Sequence, residues 1–285
     1  MAVVNTNISA SIAQAALARN ERALGTAMEQ LSTGRKINSA ADNASGLAIS
    51  ARMTSQIRGL DQAVRNANDA VSMVNTAEGA LDEITDMLQR ARELAVQSGT
   101  GTTSSNDRVF LDAEFDHLIA EIERVSANTQ WNGRNILNGA AGGATDVSGV
   151  SFQVGMDPSQ TIAVNFGNMA SDATMASLNG FGLDATTIAS AIAKSSQVIT
   201  AADVAIEAVS TQRATFGAVS NRLEHAIDNL TNVMTQSEAS RSRILDTDYA
   251  ASTSELARTQ IIQQAGTAML AQANQLPQTV LTLLQ

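Results

Sequence analysis

His117 and His225 are the two imidazoles in a chain of 285 residues, and neither belongs to a cluster with metal-ligand spacing. Each falls in a stretch of helical periodicity, where a histidine reads as a surface residue rather than an acid-base or metal-binding group. No HExxH, P-loop or GxSxG pattern occurs. Serines and carboxylates are abundant, but with no base to activate a nucleophile and no glycine-rich loop to hold phosphate they form no catalytic constellation. The chain contains no cysteine, which excludes disulfides and thiolate-bound metal. The chemistry that remains is recognition. In the segment QRARELAVQ, Arg90 and Leu94 stand four residues apart on one helix face, with Arg92 beside Glu93. Exposed, this would be a mixed charged and apolar contact patch; the plainer reading is a solvated face with internal ion pairs.

The elements that must carry such a face are long helices. From Thr186 to about Arg241 the apolar residues Ile188, Ile192, Ile199, Ala202, Ile206, Val209, Phe216, Leu223, Ile227, Leu230 and Met234 follow one alternation of three and four residues. At ~1.5 Å per residue this helix is about 80 Å long, so the expected molecule is an elongated rod. Ser195, Arg213, Ser220, Ser237 and Arg241 interrupt the seam, and polar seam positions fix register at a cost in stability. Two further helices supply partners. One runs from Leu60 through Val64, Ala67, Val71, Val74, Leu81, Ile84, Leu88, Ala91 and Leu94; the other carries Leu111, Phe115, Leu118, Ile122 and Val125. The loop SGTGTTSS separates them, so they run antiparallel.

After Trp131 the period changes. WNGRNILNG holds two Asn-Gly turn signals, and Val150, Phe152 and Val154, then Ile162, Val164 and Phe166, alternate with polar residues around GMDPSQ. This predicts a small β-hairpin at about 147–167. Between Leu31 and Ile49, turn and cap residues interrupt the helical pattern, with Gly34, Arg35, Asn38, Asp42 and Gly46 marking a joint.

Both chain ends are unusual. Residues 1–18 and 259–285 carry no charge, yet both are amphipathic. Val4, Ile8 and Ile12, continued by Leu17, Leu24, Met28 and Leu31, mark one stripe. Ile262, Ala265, Met269, Ala273, Leu276, Val280 and Leu284 mark the other, with Pro277 expected to kink or end that helix and to leave Leu281, Leu283 and Leu284 as an apolar tip. Ends are ordinarily polar and frayed. Two uncharged amphipathic ends are surfaces to be buried, first against each other and then against neighbouring molecules.

The fold class expected is therefore mainly α: an elongated helical rod or coiled-coil bundle with a small β-hairpin region, its chain ends pairing as a terminal helical domain. Low aromatic content, at 3%, and abundant alanine fit close-packed helix pairs rather than sandwiches or ligand pockets. The net charge of -10 argues against nucleic acid and anionic membrane as partners. The opening residues lack the basic and apolar regions of a Sec-type signal peptide, and no window is apolar enough to span a membrane.

Several stretches together resemble bacterial flagellin: NTNISASIAQAALARNERAL, LSTGRKINSAADNASGLAISARM, QRARELAVQ, QWNGRNILNG and AQANQLPQTVLTLLQ. The resemblance covers roughly residues 1–140 and 186–285. It implies a non-enzymatic, cofactor-free subunit, exported through the flagellar type III channel and polymerised into the extracellular filament. It also implies a terminal coiled-coil domain of residues 1–43 and 244–285 that forms the filament core, and a helical rod domain of residues 44–243. Packing in that core would fall to Ile8, Ile12, Leu17, Leu24, Leu31, Ile262, Met269, Leu276, Val280, Leu283 and Leu284. Many flagellins insert large outer domains in the middle, and this chain has only the hairpin and a short connection, whose Ser and Thr residues around Thr145 to Ser177 are candidate glycan positions by resemblance. The partners implied are further copies of the chain, an export chaperone, cap and junction proteins, and the animal Toll-like receptor for flagellin, which would read Gln89, Arg90, Leu94 and Glu114. The competing readings are a hook-filament junction protein of the same superfamily and a secreted helical effector or adhesin.

Overall fold

In the computed structural model the described residues are 7–139, 141, 149–169 and 178–283, with residues 276–283 described as backbone alone. The described residues form five long helices, α1 (Ile8–Thr33), α2 (Ala40–Ser98), α3 (Ser105–Asn128), α4 (Ile188–Leu245) and α5 (Tyr249–Leu283), with two small antiparallel strand pairs between α3 and α4. In one, β1 (Gln130–Trp131) faces β2 (Arg134–Asn135); in the other, β3 (Val150–Gln153) faces β4 (Thr161–Val164). The chain divides into two compact units: Met1–Ile57 with Thr235–Gln285, and Arg58–Met234. No helix among the described residues is long and apolar enough to cross a membrane.

The second unit has a continuous core. On α2 the buried residues Ala67, Ala70, Val74, Ala77, Leu81, Ile84, Leu88, Ala91 and Ala95 alternate by three and four, the spacing that keeps one seam against a partner helix. Phe115, Ile119 and Ile122 of α3 and Val198, Ala202, Ala205, Val209, Phe216, Val219 and Leu223 of α4 complete it. Arg92 meets Asp203 at 2.7 Å, and Arg213 meets Asp82 at 2.9 Å, so α2 and α4 run antiparallel. Arg213, a polar interruption of the seam, is thereby answered by a carboxylate on the facing helix.

The first turns of the α4 seam differ from the sequence expectation. Ile188 and Ile192 are about half exposed, while Ala191, Ser195 and Val198 face inward. Space is the reason: a Cβ on Gly99 would come within 2.6 Å of Ser195 Oγ, so the end of α2 lies too close for isoleucine. Further along, the expected Ala202, Val209, Phe216, Leu223 and Leu230 are buried.

The hairpin forms where alternation places it. Val150 pairs with Val164 and Phe152 with Ile162, the turn lies in residues 154–160, and Ile162, Val164 and Phe166 join the core. Asn66 Nδ2 donates to Gln153 O at 3.0 Å and docks the hairpin on α2. Asn132 and Gly133 both have positive φ, 49° and 76°, as the tight turn between β1 and β2 requires.

In the first unit, α1 and α5 pair antiparallel. On α1 the inward row is Ala13, Leu17, Asn20, Leu24, Ala27 and Leu31; on α5 it is Ser252, Leu256, Thr259, Gln263, Gly266, Leu270 and Ala273. Both rows alternate by three and four. The row on α5 corrects the sequence reading: Ile262 and Met269 lie on a neighbouring stripe that faces outward, although Ala273 is buried as expected. Gly266 explains the choice, because a Cβ there would come within 2.6 Å of Leu17 Cδ1, so the two backbones approach closely at small residues. The backbone of α5 also continues through Pro277 to Leu283 instead of ending at the proline. Val4 and Leu284, the side chains of Leu276, Val280 and Leu283, and residues 145–148 and 170–177 of the span from Thr145 to Ser177 lie outside the described residues.

Candidate interaction surfaces

The joint is short. Gly34 ends α1 in the left-handed conformation, with φ 67°. Beyond it Lys36 N donates to Leu245 O at 2.7 Å and Thr247 N to Gly34 O at 3.0 Å, so Arg35 and Asp246 form a bridge between the incoming and outgoing chain. Asn38 Nδ2 donates to Arg35 O. Asp42 Oδ2 accepts from the Ser39 amide at 2.8 Å and the Asn38 amide at 3.1 Å. The Ser39 amide first, then the Asn38 amide and the Ser39 hydroxyl, hold the Asp42 carboxyl below its ordinary range. Asn43 leaves helical geometry, with φ -164°, and its Oδ1 accepts from Gly46 N at 2.9 Å, restarting the helix. Helix therefore resumes well before Leu60, where periodicity alone placed it: the intervening turns expose polar faces and so carry no apolar stripe.

On the paired ends, Leu17, Leu24 and Leu31 are half-buried, but Ile8, Ile12 (66% exposed), Met28, Ile261, Ile262 and Met269 (65% exposed) point outward. Polar contacts fix the pairing. Asn20 Nδ2 donates to Thr259 O at 2.7 Å, and Asn7 Nδ2 to Ala273 O at 2.8 Å. Sequence reading missed both asparagines. The signal was there for Asn20, which stands midway between Leu17 and Leu24 in the three-four row.

On the second unit, Arg90 Nη2 lies 2.8 Å from Glu114 Oε1 and Nη1 3.1 Å from Glu93 Oε2, linking α2 to α3 across the surface. Glu114 first, then Glu93, raises the guanidinium pKa. Gln89, Arg90 and Glu114 are exposed. Leu94 is fully buried, 0% exposed, and so cannot share an exposed face with Arg90 as the four-residue spacing suggested. A turn of 100° per residue carries Arg90 and Leu94 about 40° apart. That is enough to put one at the rim and the other in the core. Arg108 is also buried, 2% exposed, and donates to the carbonyls of Ser98, Thr100 and Ala185, closing the α2 terminus where no basic residue lies in the last turn. It stands three residues before Leu111 and seven before Phe115, so it continues the three-four row of α3, but its charge gave no apolar signal. His117 and His225 are exposed on helices. Among the described residues, no group of three or more His, Cys, Asp or Glu is placed to hold a metal ion.

Paired end helices with apolar stripes facing outward, in a chain that also has a separately cored helical unit, define a structural subunit built to associate. Comparison with known proteins identifies it. The profile of the bacterial flagellin N-terminal helical region matches residues 4–141, and that of the C-terminal helical region matches residues 199–284. A flagellin of Halalkalibacterium halodurans is 43% identical over 284 residues, covering 99% of this chain and 100% of that protein. The flagellar filament 33 kDa core protein of Treponema phagedenis is 39% identical, again over 99% of this chain and 100% of that one. The crystal structure of Bacillus cereus flagellin is 29% identical with a TM-score of 0.49, covering 58% of this chain and 88% of that one. The chain belongs to the bacterial flagellin family. It is a self-assembling structural subunit of the extracellular flagellar filament, and nothing in the comparisons favours the junction-protein or effector readings.

Proposed function

We propose that the subunit polymerises by burying the outward stripes of α1 and α5 against neighbouring copies, with the paired ends as the filament's core domain and no catalytic role. One observation carries this: Ile8, Ile12 and Met28 on α1, and Ile261, Ile262 and Met269 on α5, remain exposed although the two helices already pair. Single exposed apolar residues are ordinary, but a set concentrated on two paired helices, five of the six within the uncharged stretches 1–18 and 259–285, supports an interaction surface. Ile12→Asp with Met269→Asp would put charge where the assembly is apolar, at several kcal/mol if desolvated. Seeded polymerisation is expected to fail while the melting of the second unit stays unchanged. Normal filaments from the double variant would remove the proposal.

The export chaperone and the cap and junction proteins are proposed to engage these same ends before and during assembly. The animal Toll-like receptor for flagellin is proposed to read Gln89, Arg90 and Glu114, with Leu94 contributing from beneath through packing. The exposed guanidinium between Glu93 and Glu114 supports that face as an anchor.

A further inference from the structure

Pro277 has no amide proton, so the carbonyl four residues earlier, that of Ala273, loses the donor it would have inside a regular helix. In this structure that carbonyl accepts instead from Asn7 Nδ2, at 2.8 Å. The two residues are 270 positions apart in sequence (277 minus 7) and meet through one backbone oxygen. Asn7 is placed to do this because its other amide atom is already committed: Oδ1 accepts from Ala10 N at 3.0 Å and caps α1. With Oδ1 holding the cap, Nδ2 is the group turned toward α5. Thirteen residues further along α1, Asn20 Nδ2 donates to Thr259 O at 2.7 Å, fourteen residues back along α5. The spacing is close to two heptads on each helix, so both bonds form only when the same face of α1 meets the same face of α5.

These bonds matter because the face that α5 turns inward is not its most apolar one. Ile262 and Met269 lie outside, while Asn20, Thr259, Gly266 and Ala273 lie inside. Rotating α5 about its axis would let the isoleucine and methionine stripe close on α1 and bury itself within one chain. We propose that Asn7, Asn20 and Pro277 form a latch that fixes the rotational phase of the α1 and α5 pair and keeps the apolar stripes available to neighbouring subunits. Proline serves here by leaving one carbonyl open, and Asn7 is the residue that closes it. A polar seam contact of this kind trades stability for a single arrangement.

The latch rests on the reading of the outward stripes as subunit contacts, so its test includes a readout independent of polymerisation. The full chain has no native cysteine, and Ala27→Cys with Ser252→Cys places one thiol on each inward row, a heptad beyond the Asn20 and Thr259 contact. In pelleted filaments this pair is expected to form an intramolecular disulfide, seen as a monomer of altered mobility. Asn7→Ala is expected to raise the critical concentration for seeded growth about fivefold, the size of one ordinary hydrogen bond, and to slow that cross-link. In a Pro277→Ala background, residue 277 donates to the Ala273 carbonyl itself, and Asn7→Ala should then have little further effect on either readout. An equal effect of Asn7→Ala in both backgrounds overturns the latch, as does wild-type cross-linking and growth when Asn7→Leu is combined with Asn20→Leu. Asn20→Gln, which keeps an amide donor, should retain most of the cross-link. If Ile12→Asp with Met269→Asp polymerises normally but the Asn7 and Pro277 coupling persists in the cross-link, the stripe reading fails and the latch stands.

Discussion

At the scale of single residues, burial separates groups that sequence spacing had joined. Arg90 and Leu94 stand on adjacent turns, yet one is an exposed ion-pair partner and the other a core residue. Leu94→Ala is therefore a packing change, expected to cost about 2–5 kcal/mol and to lower the melting temperature of the monomer. Arg90→Ala should leave melting nearly unchanged, because exposed ion pairs contribute little. On reporter cells, Arg90→Ala is expected to weaken receptor signalling by a well-folded monomer; full signalling would remove Arg90 from the recognition face. A second residue makes a pH prediction. Loss of water contact, then the charges of Asp112 and Asp184, raise the Asp116 carboxyl above its ordinary value, partly opposed by His117. A carboxyl with a raised folded pKa costs stability while ionised, and the cost fades as pH falls through that pKa. Asp116→Asn is thus expected to be more stable than wild type at neutral pH and equal to it below about pH 3.9, the unfolded value. Urea titrations at both pH values check this, and an advantage for the variant that persists in acid would show a cause other than charge.

At the scale of elements, sequence legibility depended on whether a helix buries large side chains or small ones. The α2 and α4 seam could be read over most of its length because leucine, isoleucine, valine and phenylalanine occupy it from Leu81 to Leu94 and from Val209 to Leu230. It was misread at Ile188 and Ile192, where alanine and serine face inward and isoleucine faces out. The same inversion hid the true row on α5, since Gly266, Thr259 and Ser252 give no apolar signal. Alternation sufficed for the hairpin, and Asn-Gly for its smaller neighbour. The joint was visible as turn chemistry but drawn too long, because a polar-faced helix and a loop look alike in apolar periodicity. Its compactness leads to a prediction. A Cβ on Gly46 would come within 2.6 Å of Ile37 Cδ1 and 3.1 Å of Asn43 Cγ. Gly46→Ala gains about 1 kcal/mol of helix propensity but crowds the cap, and overpacking typically costs about 1–3 kcal/mol. The net expectation is faster hydrogen exchange over residues 37–47, with Asn43 losing its bond to the Gly46 amide. Unchanged exchange there would show that Ile37 yields freely.

At the scale of the whole molecule, the two units differ in what holds them. The second encloses a core built from three helices, the hairpin and the segment before α4, whereas among the described residues the buried apolar ones of the first are few: Ala27, Ile37, Ile57 and Ala273. Regions with few buried apolar contacts open at low free energy, independently of the global transition. The first unit is held chiefly by half-buried leucines, two asparagine side chains and the short ladder between residues 34–36 and 245–247. Burial of its outward stripes by neighbours adds apolar area at roughly 25 cal/mol per Å², a contribution that a free monomer lacks. Free monomer is therefore expected to exchange its amides quickly over residues 7–34 and 249–275 while α3 and residues 60–98 and 198–230 stay protected. The same end segments should become slow to exchange in filaments. Limited proteolysis of monomer should trim both ends and stop at the second unit, and the trimmed product should no longer extend seeds. Protection in the monomer uniform across both units would mean that the end helices are stable without neighbours, and would leave their exposed isoleucines and methionines without the role assigned to them.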